Sequence, residues 1–384
     1  MIQEKTASLE PTLPGSYYLD PEIFRLERKH IFNLEWFAVG RKEEIPKAGD
    51  YLHVSVCGES IIVVRTRENQ LRAFYNVCRH RGCQLAMQET VRPDLEVCEA
   101  TGNFPGVIQC KYHAWTYDLE GQLRAAPYLN DAVNKEEFSL YPVGVETWGG
   151  FIFVNLEPEL AKAKNYTLKT QLGKELEYSK NYPLADLRIT KRVRYEVKAN
   201  WKVILENYNE CYHCAGVHPE LCEVVPAFKE NGGSSLDWEN GVPHKEGAFT
   251  FSFSGKTNRE AFPGLDDHEK VNHKGQLVFP NMMISLAADH VAAFTLFPKK
   301  ADETIIFCDF LFHPNEIAKT TFNPNDAIEF WDVVNKQDWA VCEGVQRGMN
   351  SQRFTKGYYA PMEDMSADIR RYIQAKLGHV LNSL

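Results

Sequence analysis

Two short segments constrain this chain more than any other part of it. Cys78-Arg79-His80 and Cys110-Lys111-Tyr112-His113 each set a thiol and an imidazole within one tight loop. Two thiolates and two imidazoles form a soft-to-borderline donor set. It suits either a tetrahedral zinc site or an iron–sulfur centre of mixed ligation. Zinc sites more often carry a C-x-x-C pair followed by two histidines, so pairing one Cys with one His in each loop favours the cluster while leaving zinc open. Either way, the fold must bring two separate loops to one point. The ten cysteines of this 384-residue chain are too sparse for a disulfide scaffold, and residues 1–20 are polar with no apolar leader. The expectation is a cytoplasmic chain whose thiols are free or metal-bound.

The pattern around these loops is β-rich. Residues 51–57 alternate, Gly58-Glu59 marks a tight turn, and 60–66 are rich in Ile and Val, which reads as a hairpin. Further strands are expected at 71–77 and 150–156, with a domain boundary near Glu157 and a helical stretch over 161–179. Later, Trp201, Ile204, Leu205, Tyr208 and Tyr212 recur at helical spacing. A second long helix is expected to start at Asn323-Pro324 and run to about Arg347, stopped by Gly348. Aromatic-rich strands are expected at 248–253, 282–286 and 290–297. Strands followed by long helices predict an α+β second domain. The formal net charge of −9 shows no basic face for nucleic acid, and no run of about 18 apolar residues crosses a membrane.

The residues after each cysteine carry a resemblance. His80-Arg81-Gly82 following Cys78, and His113-Ala114-Trp115 following Cys110, resemble the cluster loops of Rieske non-haem iron oxygenases. The resemblance extends over residues 35–350. In such a centre one iron takes both Cys and the other both His. Two departures stand out. The spacer 81–109 is about ten residues longer than usual, which reads as a surface insertion around 89–105. Cys83 stands where respiratory Rieske proteins carry a bracing disulfide cysteine, but its partner position here is Tyr112. This suits an oxygenase-type cluster, and a Cys83–Cys98 pairing stays open.

A second constellation follows. His213 and His218, five apart, stand roughly 140° apart on an ideal helix, so one of them lies past a distortion or at a helix end. Glu210, three before His213, shares its helix face. Two histidines in a chain with these loops fit the 2-His-1-carboxylate iron site. Asp338 completes it: it falls on the apolar stripe Ile328, Trp331, Val334, Val341, Cys342 and Val345, where a carboxylate is costly unless a cation meets it. The resemblance places a carboxylate ligand in the same Asp-Glu-Gln-Arg-Gly context, here Asp338, Glu343, Gln346, Arg347 and Gly348.

The resemblance implies an α+β chain: an antiparallel β Rieske domain (35–157), a helix-grip, START-like catalytic domain with a curved antiparallel sheet and long helices (158–384), and an N-terminal segment (1–34) packing on the latter. It implies one [2Fe–2S] cluster on Cys78, His80, Cys110 and His113, and one mononuclear Fe(II) on His213, His218 and Asp338. Glu210 and Asn207 are the catalytic candidates, Glu210 as a carboxylate joining a cluster His of one subunit to an iron His of the next. The chain has no G-x-G-x-x-G signature, so NAD(P)H and flavin enter only through a partner reductase. A homotrimer or a multiple of trimers using O2 is implied, with a further [2Fe–2S] centre in the reductase. The Glu210-Cys211-Tyr212-His213-Cys214 run looks closest to the branch acting on choline, carnitine and betaines. Aromatic supply for a cationic substrate comes from Trp238, Phe249, Phe251, Phe253, Phe279, Phe294 and Phe297. The alternative is a hydroxylase, dioxygenase or O-demethylase of an aromatic compound.

Overall fold

The structure is a computed structural model describing residues 9–87, 99–129, 132, 134–234 and 236–381. Its contacts divide the chain into two compact units, 31–173 and the remainder. No helix among the described residues is long and apolar enough to cross a membrane.

The unit 31–173 is built on a seven-stranded antiparallel sheet. Its strands are β1 (Phe37–Arg41), β2 (Asp50–Val56), β3 (Glu59–Arg65), β4 (Leu71–Tyr75), β5 (Glu99–Asn103), β9 (Pro142–Trp148) and β10 (Phe151–Asn155), in the order β1-β10-β9-β4-β3-β2-β5. The expected hairpin is β2–β3, with Val56 opposite Glu59. Its two linking residues, Cys57 and Gly58, both have positive φ, as the tight hairpin turn requires. A small three-stranded sheet follows from β6 (Ile108–Gln109), β7 (Thr116–Tyr117) and β8 (Leu123–Ala125). The expected insertion is not wholly a surface loop. Its last part is β5, an edge strand that pairs His53 with Ala100 because β2 offers it an open ladder. Cys98 lies outside the described residues, and with it the Cys83–Cys98 pairing; Cys83 itself carries a free thiol.

Residues 161–179 form no long helix. Short helices Pro158–Ala161, Leu168–Leu172 and Glu175–Tyr178 replace it, the second ended by Gly173 at φ +52°. The first two group with the sheet unit, so the contact division falls after Gly173, later than the boundary read near Glu157.

The second unit carries a six-stranded antiparallel sheet. It runs β11 (Arg188–Val197), β16 (Glu303–Phe312), β15 (Val291–Lys300), β14 (Met282–Leu286), β13 (Asn272–Val278), β12 (Val242–Pro243) in spatial order. Register shifts between Ile189 and Lys191 and between Pro298 and Lys300 mark bulges, which bend a sheet. β14, β15 and β16 are almost wholly buried, as strands covered on both faces must be. The unit's helices include α1 (Pro21–Glu27), α2 (Trp201–Tyr208), α3 (Cys214–Val217), α4 (Pro219–Val224), α5 (Asn325–Met349) and α6 (Asp364–Leu381). Tyr195 on β11 donates its hydroxyl to Asp332 on α5 (2.9 Å), and Trp331 donates its indole N–H to His290 (3.1 Å). These bonds tie the long helix to the sheet. The segment 9–30 belongs to this unit: Glu10–Pro11 pairs with Tyr358–Tyr359, and Glu27 meets Lys202 at 2.5 Å with both side chains fully buried.

Three sequence expectations need correction here. Residues 248–253 are a loop and not a strand. Ser252 accepts from Lys256 N–H through its hydroxyl, and Gly255 N–H donates to Ser252 C=O, so local turn chemistry wins over β propensity. α5 begins at Asn325 with Pro324 before it and runs through Gly348 to Met349. Its buried face is also rotated: Phe330, Trp331, Val334, Trp339 and Cys342 are buried, whereas Val345 is 41% exposed.

Candidate metal centres and cavity

The first loop leaves β4 and the second joins β6 to β7. Both close by the same pair of backbone bonds. Cys78 N–H donates to Cys83 C=O (2.8 Å) and Gly82 N–H to Cys78 C=O (3.0 Å). Cys110 N–H donates to Trp115 C=O (2.9 Å) and Ala114 N–H to Cys110 C=O (3.0 Å). The fourth residue after each cysteine has positive φ: Gly82 at +74° and Ala114 at +58°. Two equivalent turns result. They bury both cysteines and leave both histidines exposed, with the His80 and His113 rings 4.7 Å apart. His80 is steadied by stacking on Trp115 at 5.0 Å. The Tyr117 hydroxyl lies 3.3 Å from Cys78 Sγ and accepts from Arg79 N–H at 3.1 Å. Burial pushes the Cys78 thiol up; the Tyr117 hydroxyl offsets part of this and the neighbouring Cys110 thiol adds to it. The donors thus divide into a buried sulfur pair and an exposed imidazole pair. A two-iron cluster uses that division and a single zinc ion does not, so these residues fit the cluster.

The second site grows from the end of α2. That helix stops at Tyr208, not beyond Tyr212. Glu210 explains why: its Oε2 accepts from the backbone N–H groups of Tyr212 and His213, which competes with helix continuation. Glu210 and His213 therefore share a turn and not a helix face. The turn nonetheless brings Glu210 Oε1 to 2.5 Å from His213 Nδ1. His218 caps α4, past α3, so the five-residue spacing is resolved outside a single helix.

The three donor atoms converge. His213 Nε2 and His218 Nε2 are 3.2 Å apart, His213 Nε2 and Asp338 Oδ1 3.3 Å, and His218 Nε2 and Asp338 Oδ1 2.8 Å. Ligands about 2.1 Å from one ion at right angles to each other stand about 3.0 Å apart. The triangle therefore has the size that three donors sharing one divalent ion would have. The other nitrogens are held as ligating histidines require: His213 Nδ1 faces Glu210, and His218 Nδ1 lies 2.8 Å from Gln337 Oε1, whose Nε2 in turn donates to Glu220. Burial works against a charged His213, but hydrogen bonds to Asp338, Cys214 and Glu210 outweigh it and push the ring up to about 12. Burial alone would likewise raise Asp338, yet the two histidines hold its carboxyl below the usual range. The surroundings favour positive charge at this point, which is what an iron(II) site needs. Asn207 Nδ2 lies 3.3 Å from His213 Nε2, at the edge of the same triangle.

The triad opens into a cavity. Its walls are aromatic: Tyr208, Phe228, Trp238, Phe251 and Trp331. Of the aromatic residues singled out in the sequence, Trp238 and Phe251 line it. Phe253 is 51% exposed, Phe294 and Phe297 lie in the core, and Phe279 stacks on Tyr372. Phe228, Tyr208, Trp331 and Gln337 escaped the sequence reading. For Trp331 and Gln337 the signal was present, since both lie on the helix that carries Asp338.

Comparisons with known proteins agree with this arrangement. Residues 35–145 match the model of the Rieske [2Fe-2S] domain, and residues 184–378 that of the ring hydroxylating alpha subunit (catalytic domain). The chain is 30% identical over 360 residues to the carnitine monooxygenase oxygenase subunit of Escherichia coli (strain K12), covering 92% of this chain and 88% of that protein. It is 28% identical over 380 residues to the glycine betaine monooxygenase oxygenase subunit of Pseudomonas aeruginosa (strain UCBPP-PA14), covering 91% and 85%. Among solved structures, a quaternary ammonium Rieske monooxygenase acting in carnitine oxidation superposes with a TM-score of 0.76 at 27% identity, over 96% of each chain. With both domains matched and the metal-binding geometry of each unit in place, the chain belongs to the ring-hydroxylating alpha subunits: it is the oxygenase component of a Rieske non-haem iron system, carrying a [2Fe–2S] cluster and a mononuclear iron.

Proposed function

We propose that this oxygenase hydroxylates an N-methyl carbon of a small quaternary amine and so demethylates it. The observation that carries the proposal is one cavity that joins the His213–His218–Asp338 triangle to walls formed by Phe228, Trp238, Phe251 and Trp331. Aromatic faces attract a trimethylammonium group through their quadrupoles and are indifferent to which methyl group points inward. The relatives named for glycine betaine and carnitine support the same substrate class.

In this reading Cys78, His80, Cys110 and His113 hold the cluster, and His213, His218 and Asp338 hold the iron. When bound, the iron supplies oxygen activation and the cluster delivers electrons to it from a reductase. The chain's own residues do the rest. Glu210 and Gln337 accept the Nδ1 protons of His213 and His218, which fixes each ring with Nε2 toward the metal. Asn207 sits beside His213 Nε2 and limits the room around the open positions. Trp331, anchored on His290, keeps one apolar wall rigid and excludes water. Residues 31–173 form the cluster domain and 174–381 the iron domain, with 9–30 part of the latter. The chain works in the cytoplasm as a homotrimer, in which Glu210 joins a cluster histidine of one subunit to His213 of the next, and its electrons come from a flavin-containing reductase.

The test is NADH- and O2-dependent turnover with a surrogate reductase, read by product mass over a panel of trimethylammonium compounds and aromatic acids. Loss of one methyl group as formaldehyde from a trimethylammonium substrate is the expected result. Hydroxylation confined to the aromatic acids overturns the substrate reading.

A further inference from the structure

The cavity has a feature that an aromatic cage does not need. Two polar atoms in its wall are buried and have no hydrogen-bond partner: Ser285 Oγ and His273 Nδ1. Ser285 is 2% and His273 5% exposed. The sheet explains their placement. Ser285 on β14 stands directly opposite Gly275 on β13, and His273 lies two residues before Gly275 on the same face. A Cβ on Gly275 would come within 3.2 Å of the Trp238 ring, so the glycine lets the indole lie flush against the strand beside this polar pair. The alternation also turns Lys274 to the opposite face, where it pairs with Glu269 at 2.8 Å. Among the described residues that line the cavity there is neither lysine nor arginine.

We propose that Ser285 Oγ and His273 Nδ1 form a polar subsite for a neutral hydroxyl group on the substrate, so that the cavity prefers a hydroxyl-bearing trimethylammonium ion to a carboxylate-bearing one. The inference rests on the reading of the cavity as a quaternary-amine site. Burial pushes His273 down to about 3, so its ring is neutral and carries one N–H. Its Nδ1 has no partner and can accept or donate, according to which ring nitrogen carries the proton. Ser285 can donate and accept. A hydroxyl group satisfies both in either tautomer, donating to one of the two atoms and accepting from the other. A carboxylate has no proton to give and finds no cation in the wall to offset its desolvation. An unsubstituted alkyl tail leaves both polar atoms buried and unpaired, which is the situation that makes a hydroxyl site selective.

The test uses the metal-loaded protein without reductase and without oxygen, with calorimetric binding of three ions: (2-hydroxyethyl)trimethylammonium, ethyltrimethylammonium and trimethylglycine. The hydroxyethyl ion should bind at least about tenfold more tightly than either of the others, roughly 1.4 kcal/mol. Ser285→Ala should compress that ratio to below about threefold, as should His273→Phe, which keeps the ring contacts with Phe251 and Trp238. Equal affinity for all three ions, or tighter binding of trimethylglycine, overturns the subsite while leaving the quaternary-amine reading intact. A ratio unchanged in both variants assigns the preference elsewhere and overturns it equally. Failure of all three ions to bind overturns the subsite and the quaternary-amine reading together.

Discussion

The two metal-binding regions of this chain are made by opposite means. In the cluster loops the backbone does the positioning. Two equivalent turns, each closed by the same pair of main-chain bonds, set cysteines inward and histidines outward. At the iron site side chains do it. His213 leans on Glu210 and His218 on Gln337, and Asp338 comes from a helix far along the chain. A backbone-built site is rigid by construction and tolerates change in neighbouring side chains. A side-chain-built site depends on each supporting partner, and its failures should be graded by how directly a residue touches the metal.

The largest effect expected is at Asp338. Asp338→Ala removes one donor of the triangle and should abolish mononuclear iron binding and turnover, while the visible spectrum and acid-labile sulfide of the cluster stay unchanged. Iron-to-sulfide ratio and absorbance measure both in one sample. Full iron content in this variant would place the third ligand elsewhere.

Glu210→Gln should act next most strongly. The amide can still accept from His213 but lacks the charge that favours a cation there. Both metal sites should load and the cluster should be reducible, with coupled turnover down by at least about tenfold. Wild-type turnover from fully loaded protein would remove Glu210 from electron transfer and leave it as the residue that ends α2. Gln337→Ala should be milder in rate and show mainly in iron retention, with affinity falling about tenfold toward the lower end of such outer-shell effects. Competition with a chelator measures it. If Gln337→Ala holds iron as tightly as wild type, the support of His218 comes from the fold and not from this bond.

How much of this was legible in the sequence follows the same division. The candidate cluster donors were readable because each Cys–His pair is local, and loop spacing survives any error in the surrounding strands. Asp338 was readable as a carboxylate on an apolar helix, although the stripe was rotated: Val345 proved exposed and Trp339 buried. The geometry of Glu210 was only half readable. Its reach to His213 holds, but the helix that was to carry it ends at Tyr208, because the Glu210 carboxylate takes the backbone N–H groups of the next turn. Helix propensity does not register such side-chain competition. Ser285 and His273 were out of reach, since their meaning comes from cross-strand register and tertiary contact. The loop at 248–253 failed for the converse reason: an alternating aromatic pattern overrode the turn signals of Ser252, Ser254 and Gly255.

The smallest expected effect probes the backbone equivalence of the two loops. Gly82 and Ala114 occupy the same position, four residues after each cysteine, and both hold positive φ. A left-handed conformation costs an L-residue about 1–2 kcal/mol. Ala114 bears that cost and Gly82 does not. A Cβ on Gly82 would meet nothing closer than Val77 Cγ2 at 3.9 Å, so Gly82→Ala adds conformational cost without a clash. Part of that cost is returned because alanine restricts the unfolded chain, by about 0.4–1 kcal/mol. Gly82→Ala should therefore destabilise by about 1 kcal/mol, and Ala114→Gly should stabilise by a similar or smaller amount. In both variants the cluster spectrum should be unchanged, because the turn bonds run through backbone groups that neither substitution removes. Denaturant unfolding followed by loss of cluster absorbance reads both quantities together. Opposite signs of comparable size would establish that the loops are one turn used twice. A large loss at Gly82 with none of the reverse effect at Ala114 would mean that the two turns, alike in their hydrogen bonds, carry unequal strain.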